Sequence, residues 1–163
     1  MAVSRGSIHH SVKEDFFYLI SSLFDSKICK RAKQSTKDKT SDLICSYFNS
    51  KNVVLTPYAR TSLYLILKAL NIPPGSEILM TPFNISPMLD VIEKLDLKPI
   101  FIDINLTDFG PRYNQLDKLL RKKPACFILT YLFGYVPNLK LITDYCKKYK
   151  VPLIEDFSQN IGA

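Results

Sequence analysis

The sequence predicts an α/β protein with three layers, in which helices cover both faces of a mostly parallel sheet. From residue 52 onward, short apolar segments alternate with segments of helical periodicity. The apolar segments are hydrophobic at consecutive positions, which is typical of strands buried on both faces. Residues 71–75, Asn-Ile-Pro-Pro-Gly, stop the first helix of this series.

The N-terminal region has a different pattern. Residues 11–24 have the apolar spacing of an amphipathic helix, with Ser11 as N-cap and Glu14 completing a capping box. Residues 26–40 are polar and basic, which predicts a loop or mobile connector. Residues 41–48 are again helical. We therefore divide the chain into an N-terminal helical segment, 1–50, and an α/β domain, 51–163.

Within the α/β domain the pattern predicts five strands and four helices. Ser86 and Pro87 supply the N-cap and first position of the second helix. The predicted strands are residues 52–55, 77–80, 99–104, 125–131 and 151–154. The predicted helices are residues 61–70, 87–95, 113–120 and 138–149.

Composition and cysteine usage are those of a cytoplasmic globular protein. Of the 163 residues, 47% are hydrophobic and 23% are charged, and no apolar run could span a bilayer. Residues 1–10 lack the apolar core of a signal peptide. The cysteines have no C-x-x-C spacing, which favours reduced thiols over disulfides or zinc ligands. They are Cys29, Cys45, Cys126 and Cys146.

The net charge of +7 leaves two interpretations open, and its excess lies mainly in residues 27–39, 121–123 and 147–150. A basic protein can bind nucleic acid or anionic substrates. The aromatic residues, however, fall in apolar periodic segments rather than between the basic residues. This favours a solvated basic surface, and we expect no nucleic-acid partner. His9 and His10 are the only histidines, which argues against a histidine triad and a metal site.

The carboxyl ends of the strands are where such sheets bind ligands. Arg60, Thr61 and Ser62 follow the first predicted strand at the start of a helix. Free backbone N–H groups, two hydroxyls and a cation there would form a phosphate cradle. The same residues also fit simple N-capping by Thr61 with Arg60 exposed, and this segment alone favours that interpretation.

Two carboxylates, Glu155 and Asp156, follow the last predicted strand, and Ser158 and Gln159 come directly after them. One carboxylate could meet a cation, a metal or a protonated ring nitrogen, or both could face solvent. No Gly-x-Gly-x-x-Gly follows the first strand and no Walker A sequence is present. The residues alone thus indicate an α/β domain for an anionic ligand.

Segments along the domain resemble, in order and spacing, the DegT/StrS family of sugar aminotransferases, which depend on pyridoxal phosphate (PLP). The family's phosphate-helix, strand and "EDaAqaiGa" motifs all have counterparts. They are RTSLYL at 60–65, PGSEIL at 74–79, LKPIFIDI at 97–104, LFG at 132–134 and PLIEDFSQNIGA at 152–163. The resemblance covers about residues 50–163 and implies an incomplete large domain of a fold-type-I PLP transferase.

The resemblance also implies roles for individual residues. Asp156 matches the carboxylate that keeps the pyridinium nitrogen of PLP protonated. Thr61 and Ser62, beside Arg60, match the residues that hold the cofactor phosphate. Gln159 matches a side chain beside the phenolic oxygen of the ring.

The sequence departs from the family pattern at four points, one of which is Thr81-Pro82 where the family has proline first. The position that stacks on the ring, usually aromatic, aligns with Ile85, and Phe83 lies two residues earlier as a possible substitute. Ala59 stands where the closest variant of the motif has glycine. The lysine that forms the Schiff base follows the "EDaAqaiGa" segment in the family, and no lysine of this chain maps to it.

The family activity is transfer of an amino group from an amino acid to a keto-sugar, often nucleotide-linked, by homodimers. Without the lysine, we expect this chain alone to be an inactive, truncated relative, and enzyme activity does not follow from the resemblance. The alternative is a non-catalytic α/β domain for ligand binding or interaction.

Overall fold

The computed structural model describes residues 27–160, with side chains from residue 35 onward. These residues divide into two compact units, one ending at Leu55 and one beginning at Thr56. The helix predicted over residues 11–24, with its capping box, lies outside the described residues.

The described residues of the first unit form a long helix, α1, Lys27–Tyr47. The prediction of a loop over residues 26–40 is therefore wrong, and the helix predicted over 41–48 is the end of α1. Lysine, arginine, glutamine and alanine are good helix formers, so this segment can be helical without an apolar stripe. Its side chains from residue 35 to 40 are all exposed, which explains why hydrophobic periodicity did not reveal it.

The strand predicted over residues 52–55 is also wrong. Val54 is 77% exposed, and no ladder pairs this segment with another strand within the described chain. A β-strand is defined by a hydrogen-bonded partner. The apolar residues Val53, Val54 and Leu55 satisfy the sequence criterion for a strand, but the criterion does not supply that partner.

The second unit is a four-stranded, fully parallel sheet in the order β2-β1-β3-β4. Each strand is preceded by a helix. The elements in chain order are α2 Ala59–Ala69, β1 Glu77–Met80, α3 Ser86–Lys94, β2 Lys98–Phe101, α4 Tyr113–Arg121, β3 Cys126–Thr130, α5 Leu139–Tyr149 and β4 Leu153–Asp156. The predicted α/β fold with a parallel sheet is confirmed.

Alternate residues of the central strands enter two separate cores. Ile78 and Met80 of β1 pack with α2 and α3, whereas Leu79 packs with α4 and α5. In β3, all five residues from Cys126 to Thr130 are buried. Helices therefore cover both faces of the sheet, and consecutive apolar residues in the strands follow from burial on two sides.

The remaining differences concern element ends. β2 stops at Phe101, and Ile104 instead forms an isolated antiparallel bridge with Pro111. Ser86 is the first residue of α3 and not its cap; Ile85 holds that position without a side-chain hydrogen bond. Asn138, by contrast, caps α5, because its side chain accepts from the backbone N–H of Leu141 at 3.1 Å.

The cysteines are free thiols wherever the structure describes them. Burial raises the pKa of Cys126 to about 12 and that of Cys146 to about 11. Cys45 is partly exposed. Among the described residues, no group of His, Cys, Asp or Glu is placed to hold a metal ion. No helix in the described part of the chain is long and apolar enough to cross a membrane.

Asp117 links α4 to α5 by hydrogen bonds, and we expect these bonds to make the stability of the fold vary with pH in the acidic range. It accepts from Tyr149 Oη at 2.7 Å, Lys148 Nζ at 3.0 Å and Arg121 Nη2 at 2.8 Å, and these bonds lower its pKa from 3.8 to about 2. A lowered folded-state pKa stabilises the protein above pH 4, and this contribution is lost as pH falls towards 2. We expect Asp117→Asn to lower the urea midpoint at pH 7, and the difference from the unsubstituted chain to become much smaller as pH falls to 2.

Asp144→Asn, on the exposed surface of α5, is the matched control and should leave the midpoint unchanged at both pH values. An Asp117→Asn effect of equal size at pH 7 and pH 2 would contradict this assignment.

Candidate functional site

Two adjoining cavities lie where the carboxyl ends of the strands meet the helix layer formed by α2 and α3. Their volumes are about 260 and 360 Å³. The first is bounded by α2 and the end of β4, and the second by the loop after β1 and the ends of β3 and β4. They share as lining residues Ala59, Met88, Asp156 and Ser158.

The N-terminus of α2 forms one wall of the first cavity. Tyr58 is the N-cap and makes no side-chain capping bond, so the alternative in which Thr61 caps the helix is wrong. Thr56 supports this end of the helix: its hydroxyl shares a 2.6 Å hydrogen bond with that of Ser62 and donates to the carbonyl of Tyr58 at 3.1 Å. The first N–H groups of an α-helix have no intrahelical acceptor, so those of Ala59 and Arg60 can bind an anion.

The three residues predicted to cradle a phosphate differ in position. Ser62 lines the first cavity. Thr61 is half-buried on the same turn but lines neither cavity. Arg60 is exposed, and its guanidinium carbon lies 4.3 Å from the centroid of the Tyr58 ring, outside both cavities. The structure therefore brings Ser62, rather than all three, to the cavity wall.

Asp156 is the last residue of β4 and lines both cavities. Its Oδ1 accepts from the backbone N–H of Ser158 at 3.1 Å and from the Ser158 hydroxyl. Its carbonyl accepts from the N–H of Tyr131 at 2.9 Å. Within the described residues Oδ2 has no hydrogen-bond partner, so one carboxylate oxygen is available to a ligand.

The neighbouring carboxylate has a different environment. Glu155 pairs in register with Leu129, which packs against α4 and α5, and it also lines the first cavity. The Tyr131 hydroxyl donates to Glu155 Oε2 at 2.5 Å. Burial, and then this hydrogen bond, raises the pKa of Tyr131. Of the two carboxylates, Asp156 lines both cavities, whereas Glu155 lines only the first.

Gln159, Phe83 and Ile85 line the second cavity. Gln159 Oε1 accepts from the backbone N–H of Phe133 at 3.0 Å, which fixes the amide at the cavity wall. Phe83 and Ile85 are 52% and 62% exposed and form an apolar rim. Both candidates for ring stacking thus lie beside Asp156 and Gln159.

Sequence reasoning missed two polar residues of the second cavity. Asn84 Nδ2 donates to Thr130 Oγ1 at 2.9 Å, linking the loop after β1 to the end of β3. Thr130 could have been found, because it is the last residue of a buried strand in a parallel sheet. Asn84 lies in the segment that follows β1, so the same rule points to that segment, but no motif distinguishes Asn84 within it. No lysine lines either cavity in the part of the chain that the structure describes.

Comparison with known proteins identifies a family whose model matches most of the chain, and curated relatives that are similar to it. The model of the DegT/DnrJ/EryC1/StrS aminotransferase family matches residues 13–163. The chain is 26% identical over 120 residues to a pleiotropic regulatory protein of Geobacillus stearothermophilus, covering 74% of this chain and 32% of the relative. It is 23% identical over 122 residues to UDP-2-acetamido-2-deoxy-3-oxo-D-glucuronate aminotransferase of Pseudomonas aeruginosa, covering 75% and 34%.

The fold is also that of a solved structure, NtdA from Bacillus subtilis with bound cofactor PMP. The TM-score is 0.71 at 22% identity, covering 77% of this chain and 29% of that one. The chain spans about one third of the length of the curated relatives that it matches.

Proposed function

Because this chain belongs to the DegT/DnrJ/EryC1/StrS aminotransferase family, we propose that its two cavities form a PLP site. The observation that carries the proposal is the meeting of Asp156 with Ser62 in one cavity although 94 positions separate them (156 − 62). An acidic side chain and a helix N-terminus are the two groups that a pyridinium ring with a phosphate requires.

The side chains present fit the cofactor at three places. The N–H groups of Ala59 and Arg60 offer hydrogen-bond donors for a phosphate, and the Ser62 hydroxyl would donate to it in place of Thr56. Asp156 offers an acceptor oxygen to a ring N–H. Gln159 lies close to Asp156 on the wall of the second cavity and would adjoin a ring oxygen.

The residues would act by binding and by holding a proton, while PLP supplies the electron sink for the reaction. Asp156, as a carboxylate, stabilises a proton on the ring nitrogen. The N-terminus of α2 fixes the phosphate and therefore the position of the ring. Phe83 and Ile85 exclude water from one side of the second cavity. Thr61 and Arg60 lie on the first turn of α2. They contribute to phosphate binding only through their backbone and through the positive charge of Arg60.

For the complete family fold we propose transfer of an amino group from an amino acid to a keto-sugar. The name of the Pseudomonas aeruginosa relative, an aminotransferase of a UDP-linked 3-oxo sugar acid, supports a nucleotide-linked substrate. We further propose a homodimer in the cytoplasm, with the cofactor domain beginning near residue 51.

We also propose that the 163-residue chain by itself does not transaminate. The support is that no lysine among the described residues lines either cavity, and the reaction requires an amine to move a proton at the reacting carbon. The same observation favours a second candidate function, non-catalytic binding of the cofactor or another anionic ligand. Borohydride reduction in the presence of PLP should add mass to no single lysine in stoichiometric amount. A stoichiometric adduct together with turnover of an amino donor would contradict the proposal.

The phosphate end of the site can be tested separately. Equilibrium dialysis should show that the chain binds PLP more tightly than pyridoxal, which lacks the phosphate. Ser62→Ala removes a hydroxyl bond to a charged group, and we expect it to weaken PLP binding about tenfold and to leave pyridoxal unaffected. Ser76→Ala is the matched control, because the Ser76 hydroxyl donates to Pro73 before β1, at the opposite end of the strand. Equal affinity for PLP and pyridoxal would contradict a phosphate site at α2.

A further inference from the structure

Ser158 places two hydrogen-bond donors on a single oxygen of Asp156. Its backbone N–H lies 3.1 Å from Oδ1, and its hydroxyl donates to the same atom. We propose that Ser158 is a positioning residue that occupies Oδ1 and so directs Oδ2 of Asp156 to the ring nitrogen of the cofactor. This inference rests on the proposed function.

Position and orientation are both controlled at Asp156. The carbonyl of Asp156 accepts from Tyr131, which holds the backbone in the β3–β4 ladder. The torsion that turns a carboxylate is broad, so backbone placement alone does not fix the direction in which its two equivalent oxygens point. Two donors that converge on Oδ1 remove this freedom. Because Asp156 and Ser158 line both cavities, the oriented carboxylate lies where they adjoin.

The orientation of the carboxylate determines how well Oδ2 can accept from a ring N–H. Loss of the hydroxyl should therefore weaken the contact with a ring N–H and should have no effect on a ligand that lacks one.

Ser158→Ala isolates the hydroxyl, because alanine keeps the backbone N–H and its bond to Oδ1. The turn that follows β4 therefore retains its main-chain hydrogen bond in the variant. Ser158→Thr keeps a hydroxyl at the same position and serves as the conservative variant. Ser158 is exposed, so neither substitution creates a cavity in the core.

The experiment compares PLP with its 1-deaza analogue, in which carbon replaces the ring nitrogen, by equilibrium dialysis with the full chain. The unsubstituted chain should prefer PLP. Ser158→Ala should weaken PLP binding about tenfold and leave the analogue unchanged, and Ser158→Thr should restore PLP affinity. Equal loss for both ligands would show a merely structural role, and no loss for either would show no role; each result overturns the inference.

Failure of the proposed function would look different. If the unsubstituted chain bound PLP and the analogue equally, no carboxylate would meet the ring nitrogen, and both proposals would be overturned. If it preferred PLP and Ser158→Ala kept that preference in full, the proposed function would stand and the role of Ser158 would be overturned.

Discussion

Asp156→Ala is expected to weaken the binding of PLP by about 100-fold. Removing one partner of a desolvated, hydrogen-bonded charge pair costs roughly 2–5 kcal/mol, which corresponds to at least about 30-fold in affinity. Asp156 lines both cavities and keeps Oδ2 without a protein partner among the described residues. Fluorescence titration with PLP measures the effect directly.

Glu155→Ala is the matched control for this substitution. Glu155 is adjacent in sequence and carries the same charge, but it lines only the first cavity and its carboxylate accepts from the Tyr131 hydroxyl. We expect less than a threefold change in PLP affinity, about 0.6 kcal/mol. Equal losses in the two variants would mean that overall negative charge, and not the position of Asp156, determines binding.

Phe127→Ala is expected to destabilise the second unit by about 3–5 kcal/mol. Phe127 is fully buried in the central strand β3 and packs among side chains from α4 and α5. Truncating its ring removes apolar contacts and leaves a cavity. Since natural domains are stable by only about 5–15 kcal/mol, a large part of the total would be lost. Urea unfolding followed by circular dichroism measures this change.

Phe83→Ala tests whether burial, and not ring loss as such, causes that effect. Phe83 is half-exposed on the loop after β1, and surface substitutions usually change stability by about 0.5 kcal/mol or less. Comparable destabilisation in both variants would contradict the description of β3 as the centre of the fold.

The sheet could be predicted from sequence where burial determines the residue pattern. β1 and β3 are covered on both faces, so apolar residues occupy consecutive positions and the strands are recognisable. Ends of elements are less well determined. β2 is an edge strand with Phe101 48% exposed, and its apolar run continues to Ile104 although the parallel ladder does not.

Two segments could not be predicted from hydrophobicity. Residues 53–55 are apolar but have no strand beside them in the described structure. Helix α1 has the opposite property, since its first half is polar and charged and its helicity depends on intrinsic propensity. In both segments, local hydrophobicity does not predict the secondary structure that the residues adopt.

The candidate site was predictable in outline. The rule that parallel strands end at one edge places Asp156 and Gln159 at that edge. It does not place the start of α2, because no strand precedes that helix in the described residues, yet the structure brings Ser62 and Asp156 into one cavity. Which of Arg60, Thr61 and Ser62 lines the cavity depends on the rotation of α2. The Asn84–Thr130 bond joins residues 46 positions apart, and no local pattern encodes it.

Titration of isotope-labelled protein with PLP, followed by amide chemical shifts, tests the cofactor site most directly. We predict the largest shifts at the first turn of α2, around Ser62, and at residues 156–159, with smaller shifts at Asn84 and Thr130. Pyridoxal should perturb the second group and leave α2 unchanged. Shifts confined to the basic ends of α4 and α5, at Lys122, Lys123, Lys147 and Lys150, would show nonspecific binding of an anion and contradict the site at the carboxyl edge of the sheet.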